Sequence, residues 1–371
     1  MADTYKKSFS SGHKVKRSRG ASFWLTVADI MVYPLMALLF AATFVCLLTP
    51  YVMPATLGWL SVIALGAPII FLLDIVVMLY WVLRWRWWHV AISGIVVVVG
   101  LFYLPRYYQI EPSQERNEKI VERRFIKVTS YNVANGNNEA LVDSIERLSP
   151  AILCVQEYLS DGRNKWSKLS PRYSSTLSTH NDFSCEILTR YKIIRHGEID
   201  SLTRYNAVWA DLRINDDTVR VINTHLHSTS IRKDDSQFIQ QHQYIYDTER
   251  DAKLRSIVTR LRDNNINRSR QVDIIRAFID RSPVEKVIVC GDFNDVPLSY
   301  TYSTLANGML DTFREAGRGY TYTFDGFFRL MRIDYILCSP QFEVTTYDVD
   351  YGWKFSDHYP VTVRLKLETT K

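Results

Sequence analysis

The stretch Cys290-Gly291-Asp292-Phe293-Asn294-Asp295 carries residue types suited to chemistry on a charged substrate. It follows the apolar run Val287-Ile288-Val289, which reads as the end of a buried strand. Gly291 permits a tight turn there, and the turn presents Asp292 and Asn294 on one side. An ionised Asp accepts a proton or holds a metal, and an Asn donates a hydrogen bond to a phosphoryl oxygen. Gly and Asp are also ordinary turn residues. The stretch therefore gains force from its companions: Ser130-Tyr131-Asn132-Val133, Val155-Gln156-Glu157, Asn223-Thr224-His225-Leu226, Arg332-Ile333-Asp334-Tyr335 and Ser356-Asp357-His358. Glu157, at the exposed end of an apolar strand, suits Mg²⁺, which takes one or two carboxylates together with water and phosphate. His225 and His227 alternate as two residues on one strand face do. Of the two, His225 is the better phosphate contact or acid, and His227 reads as packed or solvent-facing.

The elements that must position these residues alternate between strand and helix. Residues 126–133 form the first strand, with Asn132 at its end. Glu139–Leu148 has Leu141, Ile145 and Leu148 at helical spacing, and residues 151–155 form the buried strand that precedes Glu157. A strand–helix–strand unit delivers Asn132 and Glu157 to the same edge. Further strands are expected at 185–188, 207–212, 219–224, 284–290, 321–324, 333–337, 342–347 and 359–367. Residues 239–279 read as a long helical stretch with two apolar stripes, one through Leu254, Ile257, Val258 and Leu261, the other through Val272, Ile275 and Ile279. Between the stripes, residues 262–270 read as a loop lining the site or as a solvated charged face, and as the best place for a local basic patch.

The N-terminal part has another composition. Residues 1–22 form a basic tail with Lys6, Lys7, Lys14, Lys16, Arg17 and Arg19. Apolar runs follow at 23–48, 57–83 and 87–104. The first two exceed the roughly 20 residues needed to cross a bilayer and the third is near the lower limit. A transmembrane region at 23–105, a bundle of about three transmembrane helices, is therefore expected, then a juxtamembrane linker at 106–123 and a catalytic domain at 124–371. Three successive runs, the first already too long, exclude a signal peptide. The basic tail and the Arg84/Arg86 pair belong on the cytoplasmic side. Three crossings then put the catalytic domain on the extracytoplasmic side of a plasma or inner membrane. Asp74 lies inside the second run, where an ionised carboxylate is costly. It reads as a protonated or interhelically bonded group, with a relay or lipid contact as the functional alternative.

The formal net charge of +6 points toward nucleic acid, but its distribution does not. Residues 1–86 hold eight basic against three acidic residues, and the remainder 37 basic against 36 acidic, so the catalytic part is almost neutral. A strong nonspecific grip on a polyanion needs a basic surface. The five Cys, at 46, 154, 185, 290 and 338, show neither C-x-x-C nor any pairing pattern, and an odd number argues against a disulfide scaffold while leaving an oxidising compartment open.

Taken in order, the motifs Ser130–Val133, Gln156-Glu157, Thr224-His225-Leu226, Gly291–Asn294, Arg332–Tyr335 and Ser356–His358 resemble the endonuclease/exonuclease/phosphatase superfamily, the family of pancreatic deoxyribonuclease. The resemblance covers about residues 124 to 368. It implies an α/β fold, a four-layer sandwich of two face-to-face sheets with helices outside. By the same resemblance, Glu157 is the main Mg²⁺ ligand, with Asp357 as a second metal-site carboxylate, and Mn²⁺ is a substitute ion. Asn132 supports the metal site and the phosphate, Asp292 orients or activates the attacking water, and Asn294 contacts the phosphoryl oxygen. Asp334 orients His358, the phosphate-binding His. His225 matches the His of the deoxyribonuclease and sphingomyelinase branches. The abasic-site repair branch has a Tyr in that neighbourhood, so a DNA-repair reading is weakened.

The chemistry implied is metal-assisted in-line attack of water on a phosphodiester or phosphomonoester. One or two metals, and Asp292 or a His as base, stay open at this level. The tether favours a phosphate ester at the bilayer, such as a lipid headgroup. The competing readings are a membrane-anchored nuclease acting on DNA or RNA and a catalytically inactive membrane scaffold, the latter at odds with the complete set of polar positions.

Overall fold

A computed structural model describes residues 19–110, 125–136, 138–158, 166, 169, 172–175, 184–199, 207–229, 248–326 and 329–367. The tail at 1–18, most of the linker and most of the loops at 159–181 and 228–243 lie outside the described residues.

The apolar region forms α1 (Arg19–Leu48), α2 (Pro54–Ala64), α3 (Ala67–Leu83) and α4 (Trp87–Leu101). Their outward residues, including Ile30, Leu38, Leu72, Leu79 and Ile95, are large and apolar, as a lipid solvent requires. Two helices, Phe23–Tyr51 and Trp87–Arg106, are long and apolar enough to cross a membrane. The second apolar run, expected as one stretch, is instead split into α2 and α3, which meet at an angle of 57°. Pro68, in the first turn of α3, has no N–H to continue a helix from α2 and fits only near a helix start. If the bent pair is one span, the region has three. At one end Arg84 Nε and Nη2 each donate to Asp29 at 2.8 Å, which binds α3 to α1. Thr43 donates its hydroxyl to Asp74, so that carboxylate is interhelically bonded.

The catalytic part docks at the opposite end of these helices. Arg106 Nη1 donates to Pro297 O at 3.0 Å and to Ser303 Oγ at 3.2 Å, and Arg332 Nη2 donates to Arg106 O at 3.0 Å. The strands in chain order are β1 (Tyr108–Gln109), β2 (Ile126–Asn132), β3 (Ile152–Tyr158), β4 (Ser174–Ser175), β5 (Ser184–Thr189), β6 (Lys192–Glu198), β7 (Ala207–Ile214), β8 (Asp217–His225), β9 (Val287–Asp292), β10 (Leu310–Asp311), β11 (Gly319–Tyr320), β12 (Asp334–Cys338), β13 (Phe342–Val349) and β14 (Val361–Leu367). One six-stranded sheet has the order β13-β14-β2-β3-β5-β4 and the other β10-β12-β9-β8-β7-β6. A small ribbon pairs β1 with β11, joining the segment after α4 to the catalytic part.

The two sheets pack face to face through Val128, Ile152, Cys154, Val221, Ile288 and Ile336, all without solvent exposure. Helix α5 (Glu139–Leu148) covers the outer face of the first sheet through Leu141 and Ile145. Its start is fixed by Asn138, whose side chain accepts from Leu141 N at 2.8 Å. Helix α6 (Thr248–Asp280) covers the second sheet through Val272 and Ile275. All five Cys are buried free thiols.

Two local expectations fail. Residues 262–270 are not a loop but the middle of α6, and Asn265, Arg268 and Ser269 on it are buried. Arg268 donates to His227 O and to Asn265 Oδ1, and Ser269 to Ile266 O, while Asp263, Asn267 and Arg270 are exposed, so one side of the segment is a buried polar face and the other is the solvated charged one. Residues 321–324 form no named strand. Only Phe324 pairs there, as an isolated bridge to His358, while the ladder lies at Gly319–Tyr320.

Candidate active site

Strand register brings the polar positions to one edge. Parallel β2 and β3 set Asn132 beside Gln156, parallel β8 and β9 set His225 beside Asp292, and antiparallel β9 and β12 set Asp292 opposite Asp334. Beneath them a buried amide pair ties the sheets together. Gln156 Nε2 donates to Asn223 Oδ1 at 2.6 Å, and Asn223 Nδ2 donates to the carbonyls of Val155 and Glu186, each at 2.8 Å. An unpaired buried amide is costly, so this pair fixes the spacing of the two sheets where the site begins.

Backbone geometry aims the side chains. The β3–β5 pairing slips between Val155 and Tyr158, and within that irregularity Glu157 has φ 53°. Asn294 has φ 52°. Both sit in the left-handed region without being Gly, a conformation that costs about 1–2 kcal/mol and clusters at functional sites. Gly291 has φ 141°, and a Cβ on it would lie 1.9 Å from Thr224 O, so only Gly allows β9 to approach β8 this closely.

Asn132 is the centre of the polar set. Its Nδ2 donates to Glu157 Oε1 at 3.1 Å and to Asp292 Oδ2 at 3.0 Å. His225 Nε2 lies 3.6 Å from Glu157 Oε1 and 3.7 Å from Asp292 Oδ2. His358 Nε2 lies 3.7 Å from the same Asp292 oxygen, and its Nδ1 lies 3.0 Å from Asp334 Oδ2. Asn294 N donates to Asp292 Oδ1 at 2.8 Å, while Asn294 Nδ2 donates to Leu226 O at 3.1 Å. Seven of the eight residues singled out from sequence thus form one connected cluster. Asp357, next to His358, is half-buried and accepts from Asp325 N at 2.8 Å through its own carbonyl.

Burial and charge divide the protonation states. Burial pushes the Asp292 carboxyl up, and the Asp334 charge adds to this, to about 6 against the pull of His358 and His225. Burial lowers the His225 ring to about 4 in spite of the Asp292 charge. His225 is therefore a neutral N–H donor at neutral pH. Burial would also depress the His358 ring, but the Asp334 and Asp292 charges and the Asp334 hydrogen bond overcome it and hold the ring up at about 10. His358 is a cation throughout the neutral range.

The carboxylates fit a hard cation. Asp292, Asp334 and His358 bring polar atoms within 4.8 Å of one another, and with the His358 ring protonated the carboxylate oxygens are the ones open to a metal. Asp334 Oδ1 is buried with no hydrogen-bond partner, and the Glu157 side chain keeps 24% of its exposure beside them. Clustered carboxylate oxygens suit Mg²⁺ or Mn²⁺ rather than a thiolate-seeking ion.

Arg268, not a sequence candidate, supports the rim. It is fully buried, donates through Nη1 to His227 O at 2.8 Å, and places Nε 3.3 Å from Asp295 Oδ2. On the same helix, Asn264 meets His227 Nε2 at 3.0 Å and Gln271 accepts from His227 N at 2.8 Å. His227 is therefore a packed loop residue, held by α6.

The sequence model described as "Endonuclease/Exonuclease/phosphatase family" matches residues 129–358, and that of a domain of unknown function (DUF8431) matches residues 29–107. Among curated proteins, none matches the chain. Solved structures similar to it include a D. rerio TDP2 humanized by 14 mutations, at 17% identity and TM-score 0.48, covering 66% of this chain and 99% of that one. An endonuclease/exonuclease/phosphatase from Bacteroides vulgatus is 19% identical, with TM-score 0.48, and covers 66% of this chain and 99% of its own. The human Nocturnin catalytic domain with bound sulfate is 18% identical, with TM-score 0.47, and covers 70% of this chain and 100% of its own.

Proposed function

This chain belongs to the endonuclease/exonuclease/phosphatase family, and from that premise we propose that it hydrolyses a phosphate ester presented at a membrane surface, a lipid headgroup in the first place. It is a metal-dependent phosphoric ester hydrolase. In the proposed assignment Glu157 and Asp357 would hold Mg²⁺, close to Asp292, Asp334 and His358. The ion supplies Lewis-acid polarisation of the phosphoryl group. Asp292, steadied by Asn132 and the Asn294 N–H, positions the attacking water and takes its proton. His358, a cation braced by Asp334, donates to the oxygens that gain charge in the transition state. His225 adds a neutral N–H, and Asn294 an amide, to the same phosphoryl group.

The observation that carries the lipid reading is the seat of the site on the apolar helices. Leu65, in the elbow between α2 and α3, packs against Val296, Met331 and Ile333. Val296 follows Asn294 by two residues and Ile333 precedes Asp334. Phe324, packed on the same cluster, places its ring centroid 5.2 Å from that of His358. The active-site loops therefore rest on the membrane-type segment. The positive residues Arg84 and Arg86 lie at the other end of α3, which supports a cytoplasmic N-terminus and an extracytoplasmic catalytic domain.

The test is hydrolysis by the full-length protein in liposomes, with Mg²⁺, of sphingomyelin and phosphoinositides beside plasmid DNA, RNA and simple nucleotides. Turnover of a lipid ester above that of nucleic acid is expected. Plasmid or RNA cleavage that collapses between low and physiological salt, with the lipids untouched, would make the protein an anchored nuclease instead.

A further inference from the structure

The two halves of the Asp334–His358 pair come from different sheets. Asp334 opens β12 in one, and His358 lies in the loop that leads into β14 of the other. A strand ladder fixes distances only within its own sheet, so no ladder sets the separation of this pair. Thr323 spans the gap. It is fully buried, in the stretch 321–324 that forms no named strand. Its hydroxyl oxygen accepts from Ile333 N and from Asp334 N, each at 3.0 Å. Its N–H donates to Met331 O at 2.9 Å, and its carbonyl accepts at 2.8 Å from the N–H of Tyr359, the residue after His358. One residue therefore holds the chain both at Asp334 and beside His358.

The residue type matters for this. A hydroxyl oxygen has two lone pairs, and here both meet main-chain donors. Without it, two buried N–H groups would stand unpaired at the start of β12, and that cost drives the chain at Asp334 to shift toward other acceptors. The β-branched side chain of Thr has few rotamers, which keeps the oxygen where the two N–H groups meet. The next residue, Phe324, forms the bridge to His358 and places its ring 5.2 Å from the imidazole. We propose that Thr323 is a positioning residue of the hydrolytic site: its hydroxyl and carbonyl set the contact between Asp334 and His358, and through it the aim of His358 at the phosphoryl group. The proposal rests on the reading of His358 as a phosphoryl contact and is independent of which ester the site hydrolyses.

Steady-state hydrolysis of bis(para-nitrophenyl) phosphate by the full-length protein in detergent, with Mg²⁺, tests it, since a soluble ester takes the bilayer out of the measurement. Thr323→Val keeps the branched shape and removes the hydroxyl. It should lower kcat by about tenfold or more and leave KM within about twofold, as misplacement of a group that acts in the transition state does. Thr323→Ser, which keeps the hydroxyl, should stay near the wild type. The deciding measurement is the coupling with Asp334. In Asp334→Ala no pair is left to aim, so adding Thr323→Val should lower kcat by less than about twofold more. Near-ultraviolet circular dichroism follows the fold of each variant. If Thr323→Val does not fold, Thr323→Cys, whose sulfur is a weaker acceptor, replaces it with the same expectations. Losses that multiply in the double variant, or a fully active Thr323→Val, would make the hydroxyl a strand-end cap only and overturn the proposal. Equal losses in Thr323→Val and Thr323→Ser would overturn it too. His358→Ala separates the two readings. If it is fully active, or the wild type inert, the assignment of His358 fails and the proposal with it; if it loses turnover and Thr323→Val does not, only the proposal fails.

Discussion

Asp334 Oδ2 accepts from His358 Nδ1 at 3.0 Å, a bond made entirely within the buried floor of the cleft. It joins β12 to the loop before β14 and decides the charge of the ring. Because the folded-state pKa is raised to about 10 from the ordinary value near 6.5, the stabilisation from this pairing is complete below about pH 6.5 and is lost as pH rises through about 10. Denaturant midpoints of the wild type and Asp334→Asn should therefore differ most at pH 6 and converge toward pH 10. The alkaline limb of the wild-type pH–rate profile should lie far above pH 6.5 and move down in Asp334→Asn. A variant with an unmoved profile would remove Asp334 from this role.

Glu157→Gln keeps the shape of the side chain and the bond from Asn132 but removes the charge. Turnover should fall at least about tenfold, with a higher Mg²⁺ requirement. Exhaustive chelation should abolish hydrolysis, and Mg²⁺ or Mn²⁺ should restore it. Undiminished hydrolysis after chelation contradicts the assignment.

Asp292→Asn and His358→Ala should each lower turnover by about a hundredfold or more, the scale of a positioned base or a transition-state donor. Near-ultraviolet circular dichroism checks that the fold persists. A folded, fully active variant takes that residue off the catalytic set.

Gly291→Ala places a methyl where Thr224 O already lies and forces an L-residue to positive φ. A loss of about 3 kcal/mol or more is expected from denaturant titration, the range of a core clash with backbone strain. A midpoint like the wild type would mean that β8 and β9 can part here without cost.

Arg268→Ala leaves the Asp295 carboxylate buried without its guanidinium, although Thr301 still donates to it at 2.7 Å and Val296 N at 3.0 Å. Breaking such a pair costs about 3–5 kcal/mol, and the two remaining donors place the expectation at or below the lower figure. Equilibrium unfolding measures it, and a change below about 0.5 kcal/mol would show that Asp295 is solvated in the variant.

The sequence announced α5 because its apolar residues repeat with the helical period and one face is buried, and β2 and β3 because they are short runs rich in apolar residues, buried on both faces. It also announced the edge where Asn132 and Glu157 meet, since a parallel unit leaves little choice. The middle of α6 was opaque for the opposite reason. Asn264, Arg268 and Gln271 are satisfied by loop groups around His227, and a buried polar face looks like a solvated one in composition. The elbow at Leu65 and Gly66 was hidden because hydropathy continues across it while direction does not. The conformations of Glu157 and Asn294 left no trace, since neither position is a Gly. The Gln156–Asn223 tie spans 67 positions and is set by packing between sheets, which no local pattern encodes.

Arg106 is held from both sides, its guanidinium by Pro297 and Ser303 and its carbonyl by Arg332. Beside it Arg332 is locked to Asp311 at 2.8 Å. The catalytic cleft thus keeps a fixed height and tilt relative to the helices instead of swinging on a leash. On the proposed lipid ester such an enzyme would search a plane: its rate would follow the mole fraction of ester in the leaflet and the lateral diffusion of that ester, and diluting the vesicles in buffer would leave the rate per enzyme unchanged while diluting the ester among inert lipids would lower it.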